Sequence, residues 1–86
     1  MKSFTYTITD PLGIHARPAG LLAKAAKAYS DTVIAVEKGG VSARASQLMR
    51  MMGLGIRQGD VVTVSAEGAC EDAAIAAMLE FFRNNL

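Results

Sequence analysis

Tryptophan is absent from the chain, histidine and cysteine occur once each, and only two prolines interrupt its 86 residues. Cys70 has no internal partner for a disulfide, and with His15 it falls short of the three or four nitrogen and sulfur ligands of a zinc site. No metal and no other cofactor is expected, and a reducing, cytoplasmic compartment fits best. An excess of charge of one sign is lacking too, since nine Lys and Arg, interspersed along the chain, stand against eight Asp and Glu for a net charge of +1. That balance excludes the dense basic field with which proteins grip nucleic acid phosphates. No apolar run approaches the roughly 18 residues that span a bilayer. Met1 to Asp10 alternates polar and apolar residues instead of forming a secretory leader. Neither export nor membrane insertion is expected.

What is present is 51% hydrophobic and 20% charged, a globular composition in a length that fits one small domain and excludes two. Phe4, Tyr6 and Ile8 alternate with Ser3, Thr5, Thr7 and Thr9. That period of two predicts a half-buried strand ending at Asp10-Pro11. From Ala16 to Tyr29 the spacing changes. Leu21, Leu22, Ala25, Ala26 and Tyr29 recur every three or four residues while Lys24 and Lys27 fall off the stripe, which predicts an amphipathic helix. Thr32 to Val36 and Val41 to Ala45 read as two strands joined at Gly39-Gly40, a hairpin turn. Ser46 to Met52 carries Leu48, Met49, Met51 and Met52 before Gly53 and Gly55, and predicts a helix of about two turns. A β-branched run from Val61 to Ala66 predicts a fourth strand. Glu71 and Asp72 then open a last helix whose stripe is Ala74, Ile75, Met78, Leu79 and Phe82.

The order is βαββαβα, which suits an α+β fold: one antiparallel four-stranded sheet with three helices on one face and the other face open. A right-handed crossover through the first helix makes strands one and two parallel, leaving a slot between them for strand four, antiparallel to both. The expected sheet order is 1-4-2-3.

One segment carries chemistry. Gly13-Ile14-His15-Ala16-Arg17-Pro18-Ala19 lies between strand and helix, and Pro18 sits in the first turn, where a missing N–H leaves no helical bond unmade. With His15 at the N-cap, its imidazole stands beside unpaired backbone donors and the positive end of the helix dipole, and Arg17 adds a fixed cation. Such a place receives an anion, and phosphate suits both the helix donors and the guanidinium. Imidazole is a nucleophile near pH 7 and can carry a phosphoryl group on nitrogen, so the place is a candidate reaction site. Which ring nitrogen reacts is not determined by these residues. A plain cap or surface histidine is the competing reading. No Gly-x-Ser-x-Gly elbow supports a hydrolase, and a triad would have to use the same His15.

These residues resemble the histidine-containing phosphocarrier family, HPr, of the bacterial phosphoenolpyruvate-dependent sugar phosphotransferase system. The resemblance runs from Phe4 to the last helix, matches the family's active-site motif at every position from Gly13 to Ala19, and includes a second landmark, Leu54-Gly55-Ile56 followed by Gly59. It implies the open-faced β-sandwich of that family and a covalent carrier that is not itself an enzyme. His15 would accept a phosphoryl group on Nδ1 from phosphorylated Enzyme I and pass it to the IIA domains of sugar permeases, with Arg17 steadying the group. A carrier of a nitrogen-linked branch, or a regulatory homologue, is the alternative. The pairing of His15 with Arg17 favours transfer over a purely regulatory homologue.

By the same resemblance Leu48, Met49 and Met52 dock against donor and acceptor proteins together with Gly20 and Leu21, and Lys24, Lys27 and Arg50 rim that patch. Plain core packing and ordinary solvated helix charges are the competing readings of these residues. Ser46 resembles the serine that a dedicated kinase, HPr kinase/phosphorylase, modifies in Gram-positive members. Register from Leu54-Gly55-Ile56 instead places Gln47 there and leaves Ser46 as a helix cap. The chain is expected to act as a monomer.

Overall fold

The computed structural model describes residues 1–86. It contains β1 (Lys2–Thr7), α1 (Ala16–Lys27), β2 (Thr32–Lys38), β3 (Val41–Arg44), α2 (Leu48–Met52), β4 (Val61–Gly68) and α3 (Glu71–Asn85). The four strands form one sheet in the order β1-β4-β2-β3, as the chain pattern predicts. Every neighbouring pair is antiparallel, so β1 and β2, both antiparallel to β4, run the same way.

Register converts the period of two into a core face and an open face. Phe4 pairs with Val64 and Tyr6 with Val62, while Val36 faces both Val64 and Ala43, so one set of side chains turns towards the helices. The alternate set, Ser3, Thr5, Thr7, Thr63, Ser65 and Glu37, lies on the other face, partly or fully exposed. At the hairpin tip Gly39 and Gly40 both have positive φ, +58° and +83°, as a two-residue turn between twisted strands requires.

Helix α1 buries Ala19, Leu22 and Ala26 and α3 buries Ala74, Met78 and Phe82, all in one core with the inward side chains of the sheet. The Phe82 ring is at the centre of an aromatic cluster, edge-on to Tyr6 at 5.5 Å and to Phe4 at 5.9 Å between centroids. Full burial of a side chain of this kind contributes about 2–3 kcal/mol. It joins the last helix to the edge strand, two elements at opposite ends of the chain.

Element ends differ from the sequence expectation where tertiary contacts take over. Helix α1 stops at Lys27 instead of Tyr29, because the Ala28 and Tyr29 N–H groups bond back three residues, to Ala25 O and Ala26 O, tightening the final turn. Tyr29 still packs on the core. Strand β1 ends at Thr7, two residues before the alternation ends, since Ile8 bonds to the β4 approach and Thr9 and Asp10 donate to Leu86 O. Helix α2 is shorter than the expected Ser46 to Met52. The Gln47 N–H closes a turn onto Arg44 O, and Gln47, not Ser46, occupies the N-cap position. Ser46 therefore does not cap the helix.

The segment between α2 and β4 is fastened from several sides. Lys38 Nζ, at the end of β2, donates to Gly55 O at 2.8 Å and lies 2.8 Å from Asp60 Oδ2, which also accepts the Arg57 N–H at 2.8 Å. The Lys38 hydrogen bond is the main cause that holds the Asp60 carboxyl below the ordinary aspartate range, followed by the Arg57 N–H. A carboxyl depressed by folding adds stability above its unfolded pKa and loses it as pH falls through the folded value. Asp60→Asn is accordingly expected to lower stability near neutrality and to flatten the acid limb below about pH 4. Urea unfolding of native and variant protein between about pH 2 and 7 checks this.

Candidate functional site

Gly13 decides where α1 begins. Its φ is +66°, and a Cβ added there would lie 2.3 Å from Ile56 O and 2.7 Å from Arg57 Cα, so no side chain fits between the two backbones. The Gly13 N–H closes a turn onto Asp10 O at 2.9 Å, and the Ile14 N–H donates to Ile56 O at 3.2 Å. Two motifs that are more than forty positions apart in the sequence thus touch through their main chains, and the Leu54-Gly55-Ile56 landmark supports the segment that carries His15.

Beyond Ile14, buried as an anchor, His15 is the N-cap of α1 with extended backbone, φ −114° and ψ −176°. Its carbonyl accepts the Ala19 N–H at 2.9 Å, while its side chain makes no capping hydrogen bond. The half-exposed imidazole is free of the helix it begins. Ala16 and Arg17 keep backbone N–H groups that have no helical acceptor, and Pro18 has none to place. Arg17 is exposed and belongs to no ion pair.

An open cavity of about 230 Å³ joins these groups, lined by Asp10, His15, Arg17, Pro18, Leu21 and Asn85. A nucleophilic ring, a guanidinium and unpaired helix donors around an open space suit a tetrahedral oxyanion that must enter and leave. Two of the lining residues, Asp10 and Asn85, escape a reading of the chain. Asp10 looks like turn chemistry, its Oδ1 accepting the Leu12 N–H at 2.8 Å. Asn85 lies at the end of the last helix, seventy positions from His15. Only the packing of α3 brings it there.

The residues expected to dock partners fall into distinct places. Leu21 lines the cavity and is 46% exposed, and on α2 Met49 is 79% and Met52 37% exposed. Met51 instead points into the core and is fully buried, while Leu48 is half-buried against it. Gly20 is half-buried with open space where a Cβ would stand, and Lys24 and Arg50 are exposed. Lys27 lies about 18 Å along α1 from His15 at the helical rise per residue. There it lines a second cavity, of about 240 Å³, together with Arg44 and Ser46.

A family model described as the PTS HPr component phosphorylation site matches residues 2–84. The chain belongs to the HPr family. Among curated HPr phosphocarriers it is 40% identical over 85 residues to that of Mycoplasma genitalium, spanning 99% of this chain and 97% of the relative. It is 41% identical over 80 residues to that of Mycoplasma capricolum, spanning 91% and 86%. A crystal structure of HPr from Thermoanaerobacter tengcongensis superposes with a TM-score of 0.91 at 40% identity, covering 98% of this chain and 93% of that one. For HPr from Bacillus anthracis the TM-score is 0.86 at 27% identity, with 94% and 95% covered. The HPr fold and the phosphocarrier class are therefore those of this chain. No helix is long and apolar enough to cross a membrane.

Gly13→Ala brings a Cβ into contact with the Ile56 and Arg57 backbone and also strains φ. It is expected to lower stability by at least about 2 kcal/mol. Denaturant unfolding measures the loss, and a variant as stable as the native protein would show that this contact does not hold the site.

Proposed function

We propose that His15 accepts a phosphoryl group on Nδ1 from phosphorylated Enzyme I and passes it to the IIA domains of sugar permeases in the cytoplasm. The observation that carries this reading is the N-cap placement of His15 with its ring unused by the helix, beside Arg17 and the free N–H groups of the first turn. In the transfer the imidazole lone pair forms an N–P bond as the donor's bond to phosphorus breaks. The phosphoryl group moves with its three oxygens, and no water is consumed. Helix N–H groups and the Arg17 guanidinium then face a group of roughly double negative charge. Held by one cation and open to solvent, it is steadied without being trapped, as onward transfer demands.

Docking on this reading uses Leu21, Met49 and Met52, with Gly20 allowing close approach and the half-buried Leu48 seating α2. Flexible thioethers adapt to unrelated partner surfaces in turn. Lys24 and Arg50, with Lys27 farther along α1, give a positive rim for acidic partners and speed encounter without deep affinity. Ser46 lies half-buried beside Arg44 and Lys27. Gln47, not Ser46, stands at the start of α2, so modification of Ser46 by a kinase is not part of this reading.

Incubation with phosphoenolpyruvate and Enzyme I, followed by intact mass, is expected to add one acid-labile phosphoryl group to the native protein and none to His15→Ala. Arg17→Ala is expected to be labelled about tenfold more slowly with an unchanged fold, since a charge-assisted contact is lost and no core packing is touched. Equal labelling of native protein and His15→Ala would refute the assignment. Met49→Glu is expected to weaken transfer to and from partners about tenfold while shifting stability by less than about 0.5 kcal/mol. Titration calorimetry with Enzyme I and a thermal melt separate the two effects. A large drop in melting temperature with normal binding would count Met49 as core.

A further inference from the structure

With His15 as the phosphoryl acceptor, the reading above on which this inference rests, we propose that the Asp10 carboxylate sets how readily the carrier gives its phosphoryl group away. Asp10 follows the end of β1 and lines the same cavity of about 230 Å³ as His15 and Arg17. It is the only carboxylate among the lining residues, since Pro18, Leu21 and Asn85 are uncharged. No cation neutralises it. The ion pairs of the molecule are Met1 with Glu71, Lys2 with Asp72 and Lys38 with Asp60, and neither Asp10 nor Arg17 takes part in one.

The carboxylate is held by the turn and not by a partner charge. Its Oδ1 accepts the Leu12 N–H at 2.8 Å, and its main chain is fixed at both ends, the carbonyl by the Gly13 N–H and the N–H by Leu86 O, each at 2.9 Å. Oδ2 takes no hydrogen bond from the protein. A fixed negative charge with a free oxygen therefore stands on a residue that lines the same cavity as His15.

Asp10 and His15 line one cavity of about 230 Å³, and charges within a Debye length of each other, roughly 8 Å at physiological ionic strength, still interact. The repulsion exists only after transfer, when roughly two negative charges arrive at His15, and is absent from the unphosphorylated protein. A charge that acts on one side of an equilibrium shifts it. Arg17 and the helix donors draw the phosphoryl group in, and Asp10 opposes them, leaving the phosphorylated state high enough in free energy to pass the group on. Asp10 is thus a tuning residue that touches neither the nucleophile nor the bond that breaks.

Charge and turn can be separated by substitution. Asp10→Asn keeps an oxygen to accept the Leu12 N–H and removes the charge, whereas Asp10→Glu keeps the charge and loses the short turn. The quantity to measure is the equilibrium between protein plus phosphoenolpyruvate and phosphoprotein plus pyruvate, with catalytic Enzyme I and enough pyruvate to leave native protein about half labelled, read by intact mass. Because an equilibrium constant is independent of the catalyst, altered docking to Enzyme I drops out.

Asp10→Asn is expected to favour the phosphorylated form about two- to fivefold at low salt, with the ratio to native protein falling towards one at 1 M NaCl. Asp10→Glu is expected to stay within about twofold of native protein at both salt concentrations. An Asn variant equal to native protein at low salt, or Asn and Glu variants displaced together, would overturn the proposal and leave Asp10 as a turn residue. A native protein that active Enzyme I does not label would remove the acceptor reading itself, and the proposal with it. Thermal melts of both variants report the turn's own contribution separately.

Discussion

The main-chain contact between Gly13 and Ile56–Arg57 is the constraint on which the site depends. Two loops leave the same end of the molecule, one after β1 and one before β4, and they are joined where Ile14 donates to Ile56 O and Gly59 donates to Ile8 O. Lys38 and Asp60 tie the second loop back to the end of β2. Through this lattice the sheet dictates where α1 starts, and with it the direction in which the His15 ring leaves the backbone. A rigid fold is thereby converted into a ring held at one edge of an open space.

The site is built for moderation. Its cavity is open, its single guanidinium is unpaired, and its backbone donors belong to a helix end already available without further residues. A deep, dry pocket with several cations would bind an oxyanion more strongly, and a carrier held in such a pocket would cease to carry. The opposed charges of Arg17 and Asp10 around one cavity express the same compromise. Exposed apolar side chains of α1 and α2 lie outside the core, while Met51 anchors α2 from below.

In the present structure β1 is an edge strand, bonded to β4 alone. Its closure rests on the aromatic contacts of Phe4 and Tyr6 with Phe82 and on the bonds of Ile8 and Thr9.

Element order, sheet order and the helix start at His15 were legible in the amino-acid sequence because each follows from local rules. Phe4, Tyr6 and Ile8 alternate, Leu22 and Ala26 recur at helical spacing, and Pro18 is tolerated only in a first turn. The motif from Gly13 to Ala19 likewise states its chemistry in consecutive residues. Other features arise from the meeting of distant segments, which no window of sequence contains. Asn85 enters the cavity because Phe82 packs on β1, and Asp10 lines it because its turn, closed by the Gly13 N–H, leads into α1. Met49 and Met51, two positions apart on one helix, point to opposite sides, and only the loops at each end of α2 decide which of the two is buried. Periodicity assigns residues to faces of an element, and only tertiary packing decides what each face meets.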